Sequence, residues 1–217
     1  MIRSDYIMRM IEQIAQVLAK VLFNKKAGNF AEAEINLENA FNNIIGLNSL
    51  LVSSLSTQDI ITLLGINKDK QTAAIKCLFT AKLLKEKAEI DKLNKKNVGH
   101  EPDYHKILNL FLYGIINNHN SDIDVSDYYD DVDEIAQIIN SELSLETRFE
   151  LFRFYDIAGR YDKAENELFR LKESNYPDII TIGISFYKKL ENTSDENLLK
   201  GNLSREEVAS GFNAFRK

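Results

Sequence analysis

Reactive side chains are few in this chain and lie far apart. The one cysteine, Cys77, falls within the run AAIKCLFTAKLL, whose apolar residues predict a buried helical face. A buried thiol with no activating neighbour is a poor nucleophile, so we expect a structural core residue. The sequence also lacks the motifs of phosphate loops, dinucleotide sites, nucleophile elbows and HExxH zinc sites. It therefore predicts a protein that is not an enzyme and needs no cofactor, with an enzyme of unrecognised type kept as a third alternative.

Three histidines, His100, His105 and His119, lie near an acidic run and could contribute to a metal site. Such a site needs ligands that converge and that are held by further hydrogen bonds. His100 and His105 flank a predicted helix start and need not share a face. Solvated surface histidines are the simpler interpretation, and we expect no metal there.

The acidic run DIDVSDYYDDVDE resembles a twelve-residue calcium loop in its spacing. The oxygen-bearing side chains at the ligand positions are Asp122, Asp124, Ser126, Tyr128, Asp130 and Asp133. A calcium loop needs glycine where Asp127 stands, to make its sharp turn, and a bidentate glutamate where Asp133 stands. We therefore expect a solvated acidic linker without bound calcium, in which Asp122, Asp124 and Asp130 are exposed and mobile.

Residues 57–79 could form a helix-turn-helix unit. The first helix would span Thr57–Leu64, and a recognition helix would start at Asp69. A recognition helix must offer side chains that reach base edges, whereas this one begins with alanines such as Ala73 and Ala74. The net charge of −6 also disfavours nucleic-acid binding. A regulatory protein that reads nucleic acid through this segment remains the alternative function.

Residues 82–97, KLLKEKAEIDKLNKKN, are locally basic, but Glu86, Glu89 and Asp91 are interleaved with the lysines. Opposite charges three and four residues apart pair along a helix. The pattern predicts a salt-bridged, solvent-exposed face rather than a nucleic-acid patch.

An aromatic cluster follows further along the chain. Phe149, Phe152 and Tyr155 lie at helical spacing, with Phe154 among them. The three rings could line a peptide groove, although aromatic residues at this spacing are more often part of a core.

Two segments of the sequence match each other, AGNFAEAEINLENAF and AGRYDKAENELFRLK. The matching residues are Gly28 and Gly159, Phe30 and Tyr161, Ala33 and Ala164, Glu34 and Glu165, and Leu37 and Leu168. Glycine permits the positive φ at the end of a helix, the aromatic residue plugs the hairpin end, and alanine lets two helices approach closely. These features resemble the turn and second helix of the tetratricopeptide repeat.

A third, degenerate copy lies between the two segments. Tyr104, Ile107, Phe111 and Gly114 keep the spacings of Phe30, Ala33, Leu37 and Ala40. The sequence as a whole also resembles a family of bacterial proteins with such repeats, through RSDYIMRMIEQIAQVLAKVLF, AKLLKEKAEI and YDIAGRYDKAENELF. That resemblance implies a tetratricopeptide-like fold and no assigned activity.

The elements that position these residues are all predicted to be helices. The first expected helix ends near Gly28. The helices expected after it span about Phe30–Ile45, Thr57–Leu64, Asp69–Lys95, Asp103–Asn118, Val132–Ser141, Leu145–Ala158, Tyr161–Glu173, Pro177–Leu190 and Ser204–Phe215. We expect one all-α domain over residues 1–217, with antiparallel hairpins at about 4–45, 69–118 and 145–173 and C-terminal helices at 177–217. Together they would form an irregular tetratricopeptide-like superhelix.

The composition and the sequence of the first helix predict the cellular location and the partners of such a protein. A lone cysteine, no recognisable signal peptide and no apolar run of about 20 residues predict a cytoplasmic protein that does not cross a membrane. No earlier helix covers the apolar residues of the first one, which are Ile2, Ile7, Met10, Ile11 and Ile14. Either the chain folds back over this helix or a second copy covers it, and of the two we favour a homodimer. The predicted function is a scaffold that binds another protein or a peptide.

Overall fold

The structure, a computed structural model, describes residues 2–66, 68–94 and 102–216. All regular structure in these residues is helical, which confirms the all-α prediction. The chain separates into two compact units, Met1–Ile139 and Asn140–Lys217, and each is described by itself. A single domain over the whole chain stays a prediction.

The described residues of unit 1 form seven α-helices. They are α1 (Ile2–Lys26), α2 (Phe30–Ala40), α3 (Ser49–Ser54), α4 (Thr57–Gly65), α5 (Lys70–Leu93), α6 (Tyr104–Ile116) and α7 (Tyr129–Ile138). Helix α5 is the centre of the unit, and its residues from Thr72 to Ile90 are mostly buried, the charged Lys85 and Glu86 among them. Helices α1, α2, α4 and α6 pack against it.

The α5–α6 contact depends on Gly114. A Cβ atom at this position would lie 2.8 Å from the carbonyl oxygen of Ala74 and 2.9 Å from the Cβ of Leu78. Only glycine therefore allows α6 to lie this close to α5, which accounts for the small residue in the degenerate copy of the repeat.

Helices α1 and α2 are joined by a tight turn at Gly28. Its φ is +74°, and the amide of Asn29 donates a hydrogen bond to the carbonyl oxygen of Asn24 over 2.8 Å. This left-handed residue ends α1 and reverses the chain. Ala33 is fully buried where the two helices pack. Ile7, Met10 and Ile14 are also buried within unit 1, so the chain itself covers residues that a second copy was expected to cover.

The helix predicted over Phe30–Ile45 is interrupted near its end. It is α-helical to Ala40 and continues as one π turn, Phe41–Ile45, which Gly46 ends at a φ of +87°. The wider turn brings Phe41, Ile44 and Ile45 into the core together.

Unit 2 contains five α-helices in its described residues. They are α8 (Leu145–Ile157), α9 (Tyr161–Glu173), α10 (Ile179–Glu191), α11 (Asp195–Lys200) and α12 (Arg205–Phe215). Helices α8 and α9 form a second hairpin, turning at Gly159 with a φ of +69°. Ala164 is fully buried at their contact. The capping box predicted at Ser204 and Glu207 is present at the start of α12.

Sequence patterns failed to predict three helical segments. Helices α3 and α11 have only six residues each, too few for an apolar period to show. Residues 126–131, expected to form a loop, instead form a 3-10 turn at Ser126–Tyr128 and the start of α7. Burial of Asp131 and Val132 outweighs the polar character of that stretch.

Candidate functional site

A hollow of about 420 Å³ lies in unit 1 between α2, the start of α3 and α5. It is lined by Ala31, Glu34, Ile35, Leu37, Glu38, Phe41, Ser49 and Lys87. Its floor consists of Leu37 and Phe41, which belong to the core. Ile35 stands at its side and is 55% exposed.

A second hollow, of about 500 Å³, lies between α3, α5 and the start of α6. It is lined by Leu50, Ser53, Ser54, Leu84, Lys87, Ala88, Asp91, Pro102, Asp103, Lys106 and Ile107. Leu50 is 80% exposed. Lys87 lines both hollows, so they adjoin, and we call them together the α2–α6 groove.

The charges in the groove are mostly negative. Its lining carries four carboxylates, at Glu34, Glu38, Asp91 and Asp103, against the two ammonium groups of Lys87 and Lys106. Both lysines already have partners within the protein. The Nζ of Lys87 lies 3.7 Å from Asp91, and that of Lys106 donates to the carbonyl oxygen of Ser53 over 2.6 Å. The groove therefore offers apolar contacts beside net negative charge.

A cluster of charged side chains ties α5 to α1 and α7. The Nζ of Lys25 lies 2.5 Å from both Glu86 and Glu89, and that of Lys85 lies 2.9 Å from Asp131. Lys82 joins the two halves, because it pairs with Glu86 over 3.3 Å and with Asp131 over 2.9 Å. We call these residues, with Glu134, the ionic cluster.

Burial and pairing have opposite effects on the pKa values in this cluster. Burial alone would lower the pKa of Lys25 and Lys85, but hydrogen bonds and attraction from their carboxylate partners outweigh it and raise both. Burial would raise the pKa of Glu89, yet hydrogen bonds from Lys25 and Lys85 lower it. Lys25, Lys85 and Glu89 are therefore held in their charged forms.

The ionic cluster corrects the interpretation of residues 82–94 as a solvent face, and residues 95–97 of the same prediction lie outside the described residues. The expected salt bridges are present, but the Glu86 side chain is 3% exposed and that of Lys85 is 8% exposed. The alternating charges suggested a solvent-exposed face, but α5 is covered on this side by α1 and α7, which carry charges opposite to those of α5. The ionic cluster fixes the backbone of α5 close to the α2–α6 groove, but the residues of the cluster do not line the groove.

The aromatic residues suggested for partner binding lie in unit 2 on α8. Phe152 and Tyr155 are buried, and Phe149 is half-buried and stacks on Tyr176 with the ring centres 5.1 Å apart. These contacts favour the core interpretation. Phe152 also lines a hollow of about 400 Å³ with residues of α10, so the partner-binding role of the three rings stays a prediction.

Residues considered for catalysis and metal binding are dispersed. Cys77 is fully buried, and burial raises the pKa of its thiol to about 12, so it is protonated at neutral pH. His119 is exposed and its Nδ1 lies 2.8 Å from the carbonyl oxygen of Ile116, whereas His100 lies outside the described residues. Within the described part of the chain, no three histidine, cysteine or carboxylate residues converge as metal ligands.

The acidic run does not adopt the shape of a calcium loop. Asp122, Asp124 and Asp130 are exposed as expected, but Asp130 and Asp133 lie on α7. The carboxylate of Asp124 accepts a hydrogen bond from the amide of Ser126, which lowers its pKa. The run therefore passes through a 3-10 turn and forms the start of α7.

The segment considered as a helix-turn-helix contains α4 and the first part of α5. The residues of α5 that would face a DNA groove are covered by the protein, since Thr72, Ala73, Ala74 and Ile75 are buried. Among residues 70–79 of α5, Lys70 alone is exposed.

The α2–α6 groove was not predicted from the sequence, although one signal for it exists. Ile35 lies off the apolar face of α2, which consists of Ala33, Leu37 and Ala40, and so interrupts an otherwise polar surface. Leu50 gave no usable signal because α3 is so short.

Comparison of the chain with known protein families finds a match to one family. A family model described as a family of unknown function (DUF6483) matches residues 1–217. The chain belongs to the DUF6483 family. No curated protein and no solved structure matches this DUF6483 chain. In the part of it that the structure describes, no helix is both long enough and apolar enough to cross a membrane.

Proposed function

We propose that this DUF6483 protein is a non-enzymatic helical scaffold that binds a peptide segment of another protein in the α2–α6 groove. The observation that carries the proposal is the pair of adjoining hollows with exposed apolar residues, Ile35 and Leu50, one in each. Exposed apolar side chains in a concave surface are typical of recognition sites. The scaffold role does not require a reactive group.

The groove also indicates the chemistry of the peptide. Apolar side chains would pack on Ile35 and Leu50, and lysine or arginine would lie near Glu34, Glu38 and Asp103. Lys87 and Lys106 are paired within the groove with Asp91 and Asp103, so the lining keeps a net negative charge and an acidic peptide would meet net repulsion. We therefore propose a basic amphipathic segment as the ligand.

The architecture proposed for the scaffold is tetratricopeptide-like. Its support is the repeated hairpin, with a positive-φ glycine at Gly28 and Gly159 and a fully buried alanine at Ala33 and Ala164. A cytoplasmic location belongs to the same proposal and rests on the lone buried cysteine. Nucleic-acid reading through residues 57–79 gains no support, because the start of α5 is buried.

The proposal can be tested with a displayed library of random peptides selected on the full-length protein. Selected peptides would be synthesised and their affinities measured by fluorescence anisotropy. Ile35→Asp and Leu50→Asp should each weaken binding by about tenfold or more, because each removes an apolar anchor. Both side chains are exposed, so the variants should keep the circular dichroism spectrum of the wild type.

Leu199→Asp is the matched control, since Leu199 is 65% exposed but lies in unit 2 on α11. It should leave peptide affinity unchanged. The proposal fails if no peptide is enriched, if the selected peptides are acidic, or if the two groove variants bind as tightly as the wild type.

A further inference from the structure

Helix α1 has two apolar stripes, and unit 1 covers only one of them. Ile7, Met10, Ile14 and Val21 form the covered stripe and are at most 3% exposed. A helix of a globular protein usually needs one such stripe to dock on its core.

The second stripe runs beside the first along the same helix. Its members are Met8, Ile11, Ala15, Leu18 and Leu22, spaced alternately by three and four residues. Met8 is 49% exposed and Leu22 is 38% exposed, Ala15 is exposed, and Ile11 and Leu18 are partly covered. Alternation of three and four is the spacing of a coiled-coil seam, at which one helix packs along another. We call these five residues the α1 seam.

A row of residues at seven-residue intervals flanks the α1 seam on one side. It consists of Asp5, Glu12, Ala19 and Lys26, and all four are exposed. The row is acidic in the first half of the helix and basic at its end. In a parallel pair of such helices, this row would face the other flank of the partner's seam, where Ile7, Ile14 and Val21 lie and are covered by unit 1. In an antiparallel pair, Asp5 of each helix would lie near Lys26 of the other.

We propose that the α1 seam binds the α1 seam of a second copy of this chain, with the two helices antiparallel about a twofold axis. The offset that places the small Ala15 against the partner's Leu18 also places Ile11 against the partner's Leu22. The same offset brings Asp5 next to the partner's Lys26. One helix therefore supplies both halves of a self-complementary surface, as a twofold interface requires.

A second copy accounts for these features better than an unrelated helix does. An unrelated helix would need only the apolar seam and would leave the charges of the flanking row unexplained. A second copy explains them, because a twofold rotation brings the acidic half of the row next to the basic end of the same row on the partner. The pairing differs from the homodimer suggested by the sequence, which used Ile7, Met10 and Ile14, since those residues are covered by unit 1.

The test is charge reversal followed by sedimentation velocity of the full chain from micromolar to millimolar concentration at low salt. The wild type should dimerise as concentration rises. Lys26→Asp and Asp5→Lys should each weaken the dimer by about tenfold, because each replaces two attractive contacts by repulsive ones. The double variant Asp5→Lys/Lys26→Asp should restore wild-type dimerisation, since the pairs are re-formed with exchanged signs.

Two further variants separate this interface from general effects. Ala15→Glu places a charge in the seam without touching the core and should give a monomer that melts at the wild-type temperature. Lys200→Asp makes the same charge reversal in unit 2, where the Lys200 side chain is 67% exposed, and should leave the dimer intact. A wild type that stays monomeric throughout, or a double variant no better than the single ones, would overturn the proposal.

Discussion

The α1–α2 and α8–α9 hairpins share a turn and a buried alanine, and they differ in the contacts that hold them in place. In both, a glycine with positive φ ends the first helix, and the next amide donates to a carbonyl five residues earlier, from Asn29 to Asn24 and from Arg160 to Tyr155. Both also bury an alanine at the helix contact, as noted above. The local conformation is therefore set by a short sequence pattern that works in two different surroundings.

The surroundings hold the hairpins by different forces. The α1–α2 hairpin is fixed to α5 by charge, through Lys25 in the ionic cluster, and its turn residue Phe30 is half-buried. The α8–α9 hairpin is fixed by close packing. Tyr161 is buried at its turn, and the carbonyl oxygen of Gly201 accepts a hydrogen bond from the amide of Asp162 over 3.1 Å. A repeat pattern therefore specifies a hairpin but not what secures it.

The largest expected effect comes from removing a charge that secures the first hairpin. Glu86→Ala should lower the free energy of unfolding by about 3 kcal/mol, because it leaves Lys25 and Lys82 in a buried site with fewer partners. Urea denaturation would give the loss, and hydrogen exchange should show that protection falls in α1, α5 and α7.

Glu167→Ala in the second hairpin is the matched control. Glu167 is buried like Glu86 and pairs with Arg148 and Arg170, but Arg170 is 47% exposed and can be solvated when its partner is removed. Its loss should be smaller, about 1 kcal/mol. Equal losses at the two positions would contradict the distinction between the hairpins.

A packing change should reverse this order. Gly201→Ala would place a methyl group against the Tyr161 ring and 2.5 Å from the carbonyl oxygen of Gly159, and should cost about 2 kcal/mol. Gly28→Ala, at the turn of the first hairpin, meets no atom within 4 Å and should cost only the strain of positive φ, about 1 kcal/mol. Thermal unfolding of both variants measures the difference, and a Gly28 variant that is the less stable of the two would refute it.

The smallest effect is a difference in pH dependence between Glu89 and Glu165. Partners in the ionic cluster lower the pKa of Glu89, so its contribution to stability is present above its ordinary pKa of 4.5 and is lost as pH falls. Burial raises the pKa of Glu165, despite a hydrogen bond from the hydroxyl of Tyr187, and the charges of Glu207 and Asp162 raise it further. Stability linked to Glu165 is greatest below pH 4.5 and is lost as pH rises.

Substitution by glutamine should expose these opposite slopes in urea denaturation between pH 4 and pH 7. Glu89→Gln should be less stable than the wild type at pH 7 and approach it in acid. Glu165→Gln should be more stable at pH 7 and lose that advantage in acid. Each difference should be about 1 kcal/mol or less, since both groups are partly solvated. Parallel pH curves for the two variants would show that the two carboxyl groups have similar surroundings.

Sequence reasoning predicted the long helices and both hairpin turns because these depend on local signals, such as the apolar period of α1 and the Ala-Gly pair before Phe30 and Tyr161. It did not predict how charges are buried. Lys85 and Glu86 look like surface residues until α1 and α7 are placed beside them. The groove was missed for the same reason, because Ile35 and Leu50 meet Lys87 only through the packing of separate helices.

The ionic cluster has a consequence for the order in which the chain folds. Lys25 and Asp131 are connected through Lys82 and Glu86, although about a hundred residues separate them in sequence. During synthesis at roughly 5–20 residues per second, α1 leaves the ribosome several seconds before α7 does. In that interval Lys25 can already meet Glu86 and Glu89 on α5, whereas Lys82 and Lys85 still lack the carboxylates of Asp131 and Glu134. Truncations that end before α7 should therefore be less stable than the full unit, because they leave these two lysines of α5 without their partners on α7, and the arrival of α7 completes the ionic cluster.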